Sequence, residues 1–275
     1  MPTRISSPTY TVGMPQPEVI AMNVGNTRTQ IGHISEGALS TAVRIPNTDL
    51  AKIVQHVVGE TKRLGNLPAI VIAAVHEEIG ANITSALRDQ LAAEVYQVGN
   101  DLPVPIGQSL DRETLTGVDR LLNAAAAYDQ LKQACVVVDA GTAVTVDFVD
   151  GEGTFHGGAI APGAHMQLET LSQHASALPE IKWRKPDDEP FGRSTAEAML
   201  QGVYYGIRGL VRVTVERYAE HYQAYPLVIA TGGDGQLLFD QDDFVDRVIP
   251  DLTLQGIAVA VRHALAADEH EHEEH

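Results

Sequence analysis

The chain has 275 residues, 44% of them hydrophobic and 20% charged, a globular balance that excludes wholesale disorder. Its formal net charge is −17, with a dense acidic run at the end (DEHEHEEH), and this argues against a nonspecific grip on nucleic acid or an anionic membrane surface. The single cysteine, Cys135, leaves no intrachain disulfide framework and no cysteine metal cage, and no apolar run approaches the ~20 residues of a membrane span.

Residues 1–16 hold no apolar stretch of export-signal length and are expected to be a disordered extension, so the chain reads as soluble and cytoplasmic. From Pro17 the run EVIAMNVGNTRTQIGHISEG predicts strand, tight turn, strand. Residues 49–64 carry Leu50, Ile53, Val54, Val57, Val58 and Leu64 at helical spacing. A strand over 67–75, a short helix over 81–93 and a strand in AEVYQVG follow. Residues 99–116 are rich in Pro, Gly and charge and read as a loop, after which GVDRLLNAAAAYDQL reads as a helix whose alanines favour close packing.

The pattern restarts at Ala134. CVVVDAGTAVTVDFVDGEGTFHGGAIAPG predicts three strands with turns at 139–142 and 150–153, and Cys135 reads as a small buried hydrophobe at its start. Helices are expected at 164–177 and 194–222, then the strand LVIA, the turn TGGDG, a brief helix, the edge segment FVDRVIP and a last helix over 253–267. The tail 268–275 has no apolar face and is expected to be disordered. MNVGNTRTQIG and VDAGTAVTVDF share one plan: a polar residue at the end of an apolar strand, a glycine two positions on, and a returning strand. Two duplicated α/β domains are therefore expected, 17–133 and 134–267, each with mixed strands flanked by helices and a hairpin turned into a shared ligand cleft.

Glycine turns after strands suit phosphate oxygens, because successive backbone N–H groups point outward. Candidates are Gly25-Asn26-Thr27, Gly141-Thr142 and the turn Thr231-Gly232-Gly233. Phosphoryl transfer also needs a metal-binding carboxylate and a group that orients the acceptor hydroxyl. Asp139, at the end of VVV, suits the first role; Asp119 in Gly117-Val118-Asp119-Arg120 suits the second or caps a helix. Arg120 can grip a carboxylate or phosphate bidentately. There is no GxxxxGK[ST] loop, no HExxH and no GxSxG, which removes the usual P-loop, zinc-protease and hydrolase readings. The glycines at 202, 206 and 209, inside a helix, call for a close neighbour in this chain or in a second copy.

In order, NVGNTRTQIG, GVDRLLNAAAA, VVVDAGTAVTVD, GGAIAPG, GRSTAEAMLQGVYYG and IATGGDG resemble the type III pantothenate kinases of the sugar-kinase, heat-shock-ATPase and actin superfamily. The resemblance implies two ribonuclease-H-like domains, a homodimer with an active site shared between subunits, and cytoplasmic phosphorylation of pantothenate by ATP with Mg²⁺. It places ATP at Asn23, Val24, Gly25, Asn26, Thr27, Arg28, Thr29 and Gln30, and at Gly141 and Thr142; Gly232 and Gly233 join this nucleotide set. It makes Asp119 the proton acceptor, sets Gly117, Val118, Asp119, Arg120 and the partner-facing Thr195 around pantothenate, and gives Asp139 a K⁺ or NH₄⁺ ion.

Two positions depart from the family pattern. Asn23 stands where an Asp is usual, and the segment before GVDR reads SLDRETLT, with Leu110 near the place of a substrate-contacting Tyr. These departures keep two alternatives open: a catalytically weak nucleotide- or metabolite-binding regulator of the same fold, and a kinase for another small hydroxy acid.

Overall fold

A computed structural model describes residues 18–273 apart from Asn66 and Gln241, so the extension 1–16 lies outside the described residues. In chain order the elements begin with β1 (Val19–Val24), β2 (Arg28–Ser35), β3 (Ala38–Pro46), α1 (Leu50–Leu64), β4 (Ala69–Ala74) and α2 (Glu77–Gln90). Then come β5 (Val95–Gln97), β6 (Gly107–Gln108), α3 (Val118–Leu131), β7 (Cys135–Ala140), β8 (Ala143–Val149) and β9 (Thr154–Pro162). The chain continues with α4 (Ala164–His174), α5 (Thr195–Tyr222), β10 (Leu227–Thr231), α6 (Gly235–Phe239), β11 (Arg247–Val248) and α7 (Leu252–Glu273).

Two compact units result. One takes the chain up to Ile106, Glu113–Asp129 and everything from Asp251 on; the other takes Gly107–Arg112 and Gln130–Pro250. Their sheets run β3-β2-β1-β4-β5 and β11-β10-β7-β8-β9-β6. In each, a three-stranded antiparallel meander is extended by parallel strands beside its first strand. The duplication read from the sequence is thus a duplication of topology. Asn23 pairs with Gln30 and Ala73, and Asp139 pairs with Thr145 and Thr231, so each is the next-to-last residue of its central strand. The third strand of the first meander, β3, was not distinguished in the sequence.

Alternation along β1 divides the first core. Ile20, Met22 and Val24 pack with Ile53 and Val57 of α1 and Ile83 and Leu87 of α2, whereas Val19 and Ala21 pack with Leu122, Leu254 and Ile257 of α3 and α7. A strand buried on both faces reads as a continuous apolar run, as VIAM does. Helix α1 is capped by Asp49, whose carboxylate accepts the Lys52 N–H at 3.1 Å, and is closed by Gly65 at φ 72°. Helix α2 begins at Glu77 rather than at 81, because Glu77 and Glu78 occupy the first turn, where the helix dipole favours acids. In the second unit Val136, Val138 and Ala140 of β7 pack against α4, α5 and α6. Cys135 is fully buried there, and burial pushes its thiol pKa up to about 12, so it behaves as the small hydrophobe expected.

The domain limits differ from a simple cut at 133/134. Helix α7 packs on β1, β2 and β3 of the first unit. The buried Thr253 hydroxyl donates to Asn123 Oδ1 at 2.8 Å, Arg262 pairs with Asp129 at 2.6 Å, and Arg44 pairs with Asp251. Residues 107–112 cross the other way: β6 adds a parallel strand to β9, and the Ser109 N–H bonds the Phe155 carbonyl at 2.9 Å. Within the tail, residues 268–273 continue α7 to Glu273, and 274–275 lie outside the described residues. No Gly or Pro interrupts ALAADEHEHE, so nothing in it stops a helix.

The alanines after Asn123 are buried, as close packing requires, and α3 meets α7 at Gly256, where a Cβ would run into the Leu122 carbonyl. Gly256→Ala should therefore cost about 1–3 kcal/mol of stability, the range for overpacking. Gly59→Ala is the control: Gly59 lies in α1 with nothing within 4 Å of a Cβ, so it should gain up to about 1 kcal/mol from helix propensity. Denaturant unfolding of the two variants should move the midpoints in opposite directions.

Candidate active site

In the first unit the site begins at the β1–β2 hairpin. The Gly25 N–H donates to the Arg28 carbonyl at 3.1 Å, so this amide closes its own turn. A residue not singled out in the sequence, Asn47 just after β3, brackets the hairpin from outside. Its Nδ2 donates to the Gly25 carbonyl at 2.8 Å, its N–H to the Thr27 carbonyl at 3.0 Å, and its Oδ1 accepts the Thr29 hydroxyl at 2.8 Å. Thr29 is fully buried and Val24 lies in the core, so both shape the turn from inside. Asn26, Thr27 and Arg28 are exposed and form its outward surface.

Asn23 is held by its amide: Nδ2 donates to Gln30 Oε1 at 3.2 Å. Its Oδ1 is buried and has no hydrogen-bond partner among the described residues. A buried acceptor left unsatisfied costs about 1–3 kcal/mol, and one at a strand end beside a glycine turn is suited to a bound donor or cation.

Gly117, Val118, Asp119 and Arg120 are half-buried at the start of α3. Asp119 lies within the first turn, where the helix dipole favours its charge, and its Oδ1 accepts the Arg120 N–H at 2.9 Å. Gly117 is packed so closely on this carboxylate that a Cβ would lie 2.6 Å from Oδ1. A side chain at 117 would therefore have to turn the Asp119 carboxylate aside.

In the second unit three backbone segments converge at the end of β7. The Gly141 N–H donates to the Ala143 carbonyl at 2.9 Å, closing the tight β7–β8 turn. Gly163, at the exit of β9, donates its N–H to the Thr142 carbonyl at 3.0 Å, and a Cβ there would overlap the Gly141 and Thr142 carbonyls. Gly232 has φ 90°, and a Cβ on it would collide with the Ala140 carbonyl and the Asp139 carboxylate. The next turn residue, Asp234, donates its N–H to the Ala140 carbonyl at 2.9 Å. Asp139, Gly141, Thr142, Gly232 and Gly233 are thus brought together, with Gly163 and Asp234 added to the set. Thr142 and Gly233 are exposed.

Thr195 belongs to a different element, the first turn of α5. Ser194 is the N-cap, its Oγ accepting the Glu197 N–H at 3.2 Å, and Thr195 stays exposed. In the altered loop Leu110 is half-buried against Gly157, while 111–115 are exposed.

The family model described as type III pantothenate kinase matches residues 19–217. A Rhodospirillum rubrum protein named type III pantothenate kinase is 33% identical over 252 residues, 89% of this chain and 98% of that one. The chain belongs to the type III pantothenate kinase family. As such it is a kinase that uses ATP. Among solved structures, a Campylobacter jejuni protein described as a Baf family transcriptional activator matches with a TM-score of 0.60 at 19% identity, covering 90% of this chain and 99% of that one. The Clostridium difficile activator of 2-hydroxyisocaproyl-CoA dehydratase, solved with bound ADPNP, matches with a TM-score of 0.53 at 11% identity, covering 94% of this chain and 98% of that one. Both likenesses concern the fold, which is that of the actin, sugar-kinase and heat-shock-ATPase superfamily, with two mixed α/β sheet domains.

Asn47 could have been found from the Pro46-Asn47 pair, a turn signal directly after an apolar stretch. Gly163 closes the motif GGAIAPG, but its contact with Thr142 depends on a partner in a separate turn. Gly163→Ala in this kinase should displace the Gly141-Thr142 turn, lowering the thermal midpoint by several degrees, as a loss of about 1–3 kcal/mol would. It should also weaken binding of MgADP measured by calorimetry.

Proposed function

We propose that the chain transfers the γ-phosphoryl group of ATP to the primary alcohol of pantothenate, giving 4′-phosphopantothenate, the first step toward coenzyme A. The observation that carries this reading is the paired strand ends. In both sheets a polar side chain, Asn23 or Asp139, stands one residue before a central strand ends, and a glycine turn follows it. The turn residues 25–30 and Gly141-Thr142, with Gly232 and Gly233, receive the nucleotide. Their outward groups are those of Asn26, Thr27 and Thr142, since the glycine amides at 25 and 141 are taken by the turns themselves.

Asp119 accepts the proton of the pantothenate hydroxyl, or orients it, as attack on phosphorus develops. A carboxylate is a weak base for an alcohol, so placement carries most of this contribution. Arg120 pairs with the pantothenate carboxylate, whose planar geometry suits a guanidinium fork. Gly117 and Val118 line the same site, and Thr195 adds a hydroxyl from the partner subunit.

Mg²⁺ and a monovalent cation fit the donors present. Among the described residues no three His, Cys, Asp or Glu side chains are grouped to hold a metal, but Mg²⁺ commonly takes one or two protein oxygens together with substrate phosphates. The unpartnered Asn23 Oδ1 is such an oxygen, and Asp139 supplies a carboxylate for K⁺ or NH₄⁺. Bound Mg²⁺ would neutralise charge on the transferring phosphoryl group. The homodimer is favoured by α5: Gly202, Gly206 and Gly209 are exposed, and a Cβ at each meets nothing within 4 Å among the described residues. Packing within the described residues does not account for these three helical glycines, which supports a second copy against this face. No helix among the described residues is long and apolar enough to cross a membrane.

Asp119→Asn keeps the side-chain size and removes the proton acceptor. In a coupled ATP/pantothenate assay kcat should fall by about 10²-fold or more, with little change in thermal midpoint. Near-normal turnover would remove Asp119 from the chemistry.

Asn23 favours one competing reading, a ligand-binding regulator, because an amide brings no charge to a metal. Asn23→Asp separates the two, and the Gln30 amide can rotate to donate to the new carboxylate. In a working kinase the variant should need less Mg²⁺ for half-maximal rate and leave the pantothenate KM nearly unchanged. In a regulator it should weaken ATP binding without raising turnover.

A further inference from the structure

Trp183, the chain's single tryptophan, is attached to the glycine turn that follows β10. Its indole N–H donates to Asp234 Oδ1 at 3.1 Å. Asp234 occupies the N-cap position of α6 yet makes no side-chain cap bond to that helix. An Asp at this position ordinarily turns its carboxylate back onto the helix N–H groups. Here the carboxylate has been drawn off to the indole, and the turn backbone is correspondingly free of the cap geometry.

The segment that delivers Trp183 is itself fastened. The indole is half-buried against the core of the second unit, 6.5 Å from the Tyr204 ring, and Arg208 stacks over the other ring at 5.1 Å. One residue on, Arg184 pairs with Glu197 in the first turn of α5, and the Asp187 N–H donates to the same carboxylate at 3.1 Å. These bonds, that of the Asp187 amide foremost, hold the Glu197 carboxyl below its ordinary pKa, so the fastening is charged at neutral pH. Gln201 Nε2 adds a bond to the Glu189 carbonyl at 2.7 Å. Without side-chain anchors a run such as IKWRKPDDEP, which has no helix or strand of its own, would not hold an indole in one place.

We propose that Trp183 is a positioning residue for the nucleotide turn: it holds the Asp234 carboxylate away from α6 and so keeps the backbone at Gly232 and Gly233 in the shape that meets ATP. The proposal rests on the assignment of that turn to the nucleotide. The indole and the first amides of α6 compete for this carboxylate. Removing the indole N–H lets it turn toward those amides and strains the backbone of the turn. Gly232 has no lateral freedom, because the Ala140 carbonyl and Asp139 lie against it, so the movement falls on exposed Gly233.

The test uses the full-length enzyme and MgADP as the probe. Because Trp183 is alone, its emission reports this turn directly. Titration with MgADP should change the emission along the same curve that equilibrium dialysis gives for binding. Trp183→Phe keeps an aromatic ring in the core and removes the donor. Its KM for ATP should rise about tenfold, the factor for one lost hydrogen bond to a charged group, with kcat and the pantothenate KM within about twofold of wild type. Asp234→Ala should reproduce that rise, and the double variant should add nothing to it, since both remove one interaction. Emission that stays constant while dialysis shows binding, or additive effects in the double variant, would overturn the positioning role and leave the kinase reading standing. Dialysis showing no nucleotide binding to the wild type would overturn both.

Discussion

The second unit is organised around a place where three backbones meet with no room for a side chain. At the end of β7 the carbonyls of Ala140, Gly141 and Thr142 face Gly232 on one side and Gly163 on the other, and a methyl group at either glycine would occupy space already filled. Such packing is rigid because interiors are close-packed and resist small displacements. It ties the β7–β8 turn, the exit of β9 and the turn before α6 into one piece, with Asp139 at its centre. A phosphate-binding turn needs this rigidity, since preorganised donors act without reorganising during reaction.

The first unit solves the same problem by other means. No glycine is pressed onto the β1–β2 turn; a single amide side chain, Asn47, makes bonds to Gly25, Thr27 and Thr29 from its side chain and backbone. Each of these is an ordinary neutral hydrogen bond worth about 1 kcal/mol net, and together they tie the turn to the end of β3. The duplicated sheets therefore share the meander and its parallel extension, while their hairpins differ in register by one residue and their turns are held differently. The second-unit turn combines backbone hydrogen bonds with steric exclusion at Gly163 and Gly232, whereas the first is bracketed by the hydrogen bonds of Asn47.

That difference explains which parts of the site were legible in the sequence. The strand-end residues Asn23 and Asp139 and the glycine turns stood out because apolar runs such as VIAM and VVV end abruptly in a polar residue, and a hairpin turn is a local event. Asn47 and Gly163 did not, because their roles come from partners distant in the chain. Helix α7 shows the same limit at domain scale: its apolar face is evident in LTLQGIAVAV, but nothing local says that β1 and α3 rather than the nearer β10 will cover it. Leu110 and Trp183 lie in stretches without periodicity, where sequence offers composition and little else.

With ATP at residues 23–30 as proposed, electrostatics gives the neutral side chain of Asn23 a physical meaning. The chain carries a net charge of −17 and must accept a polyanion. Two like charges about 4 Å apart repel by about 4 kcal/mol at an effective dielectric of 20, so a carboxylate beside phosphate oxygens is tolerable only while a cation stands between them. An amide carbonyl removes that repulsion and keeps an oxygen for the cation, at the expense of a weaker hold on it. The Gln30 contact fits this use: it engages the Asn23 NH₂, the half of the amide that a cation cannot use, and leaves Oδ1 uncommitted. With Asp139 retained in the other sheet, this chain keeps one charged strand end and one neutral one. The expected consequence is a nucleotide site that depends less on the cation for admission of ATP and more on it for chemistry, because only the developing charge of transfer then demands full neutralisation.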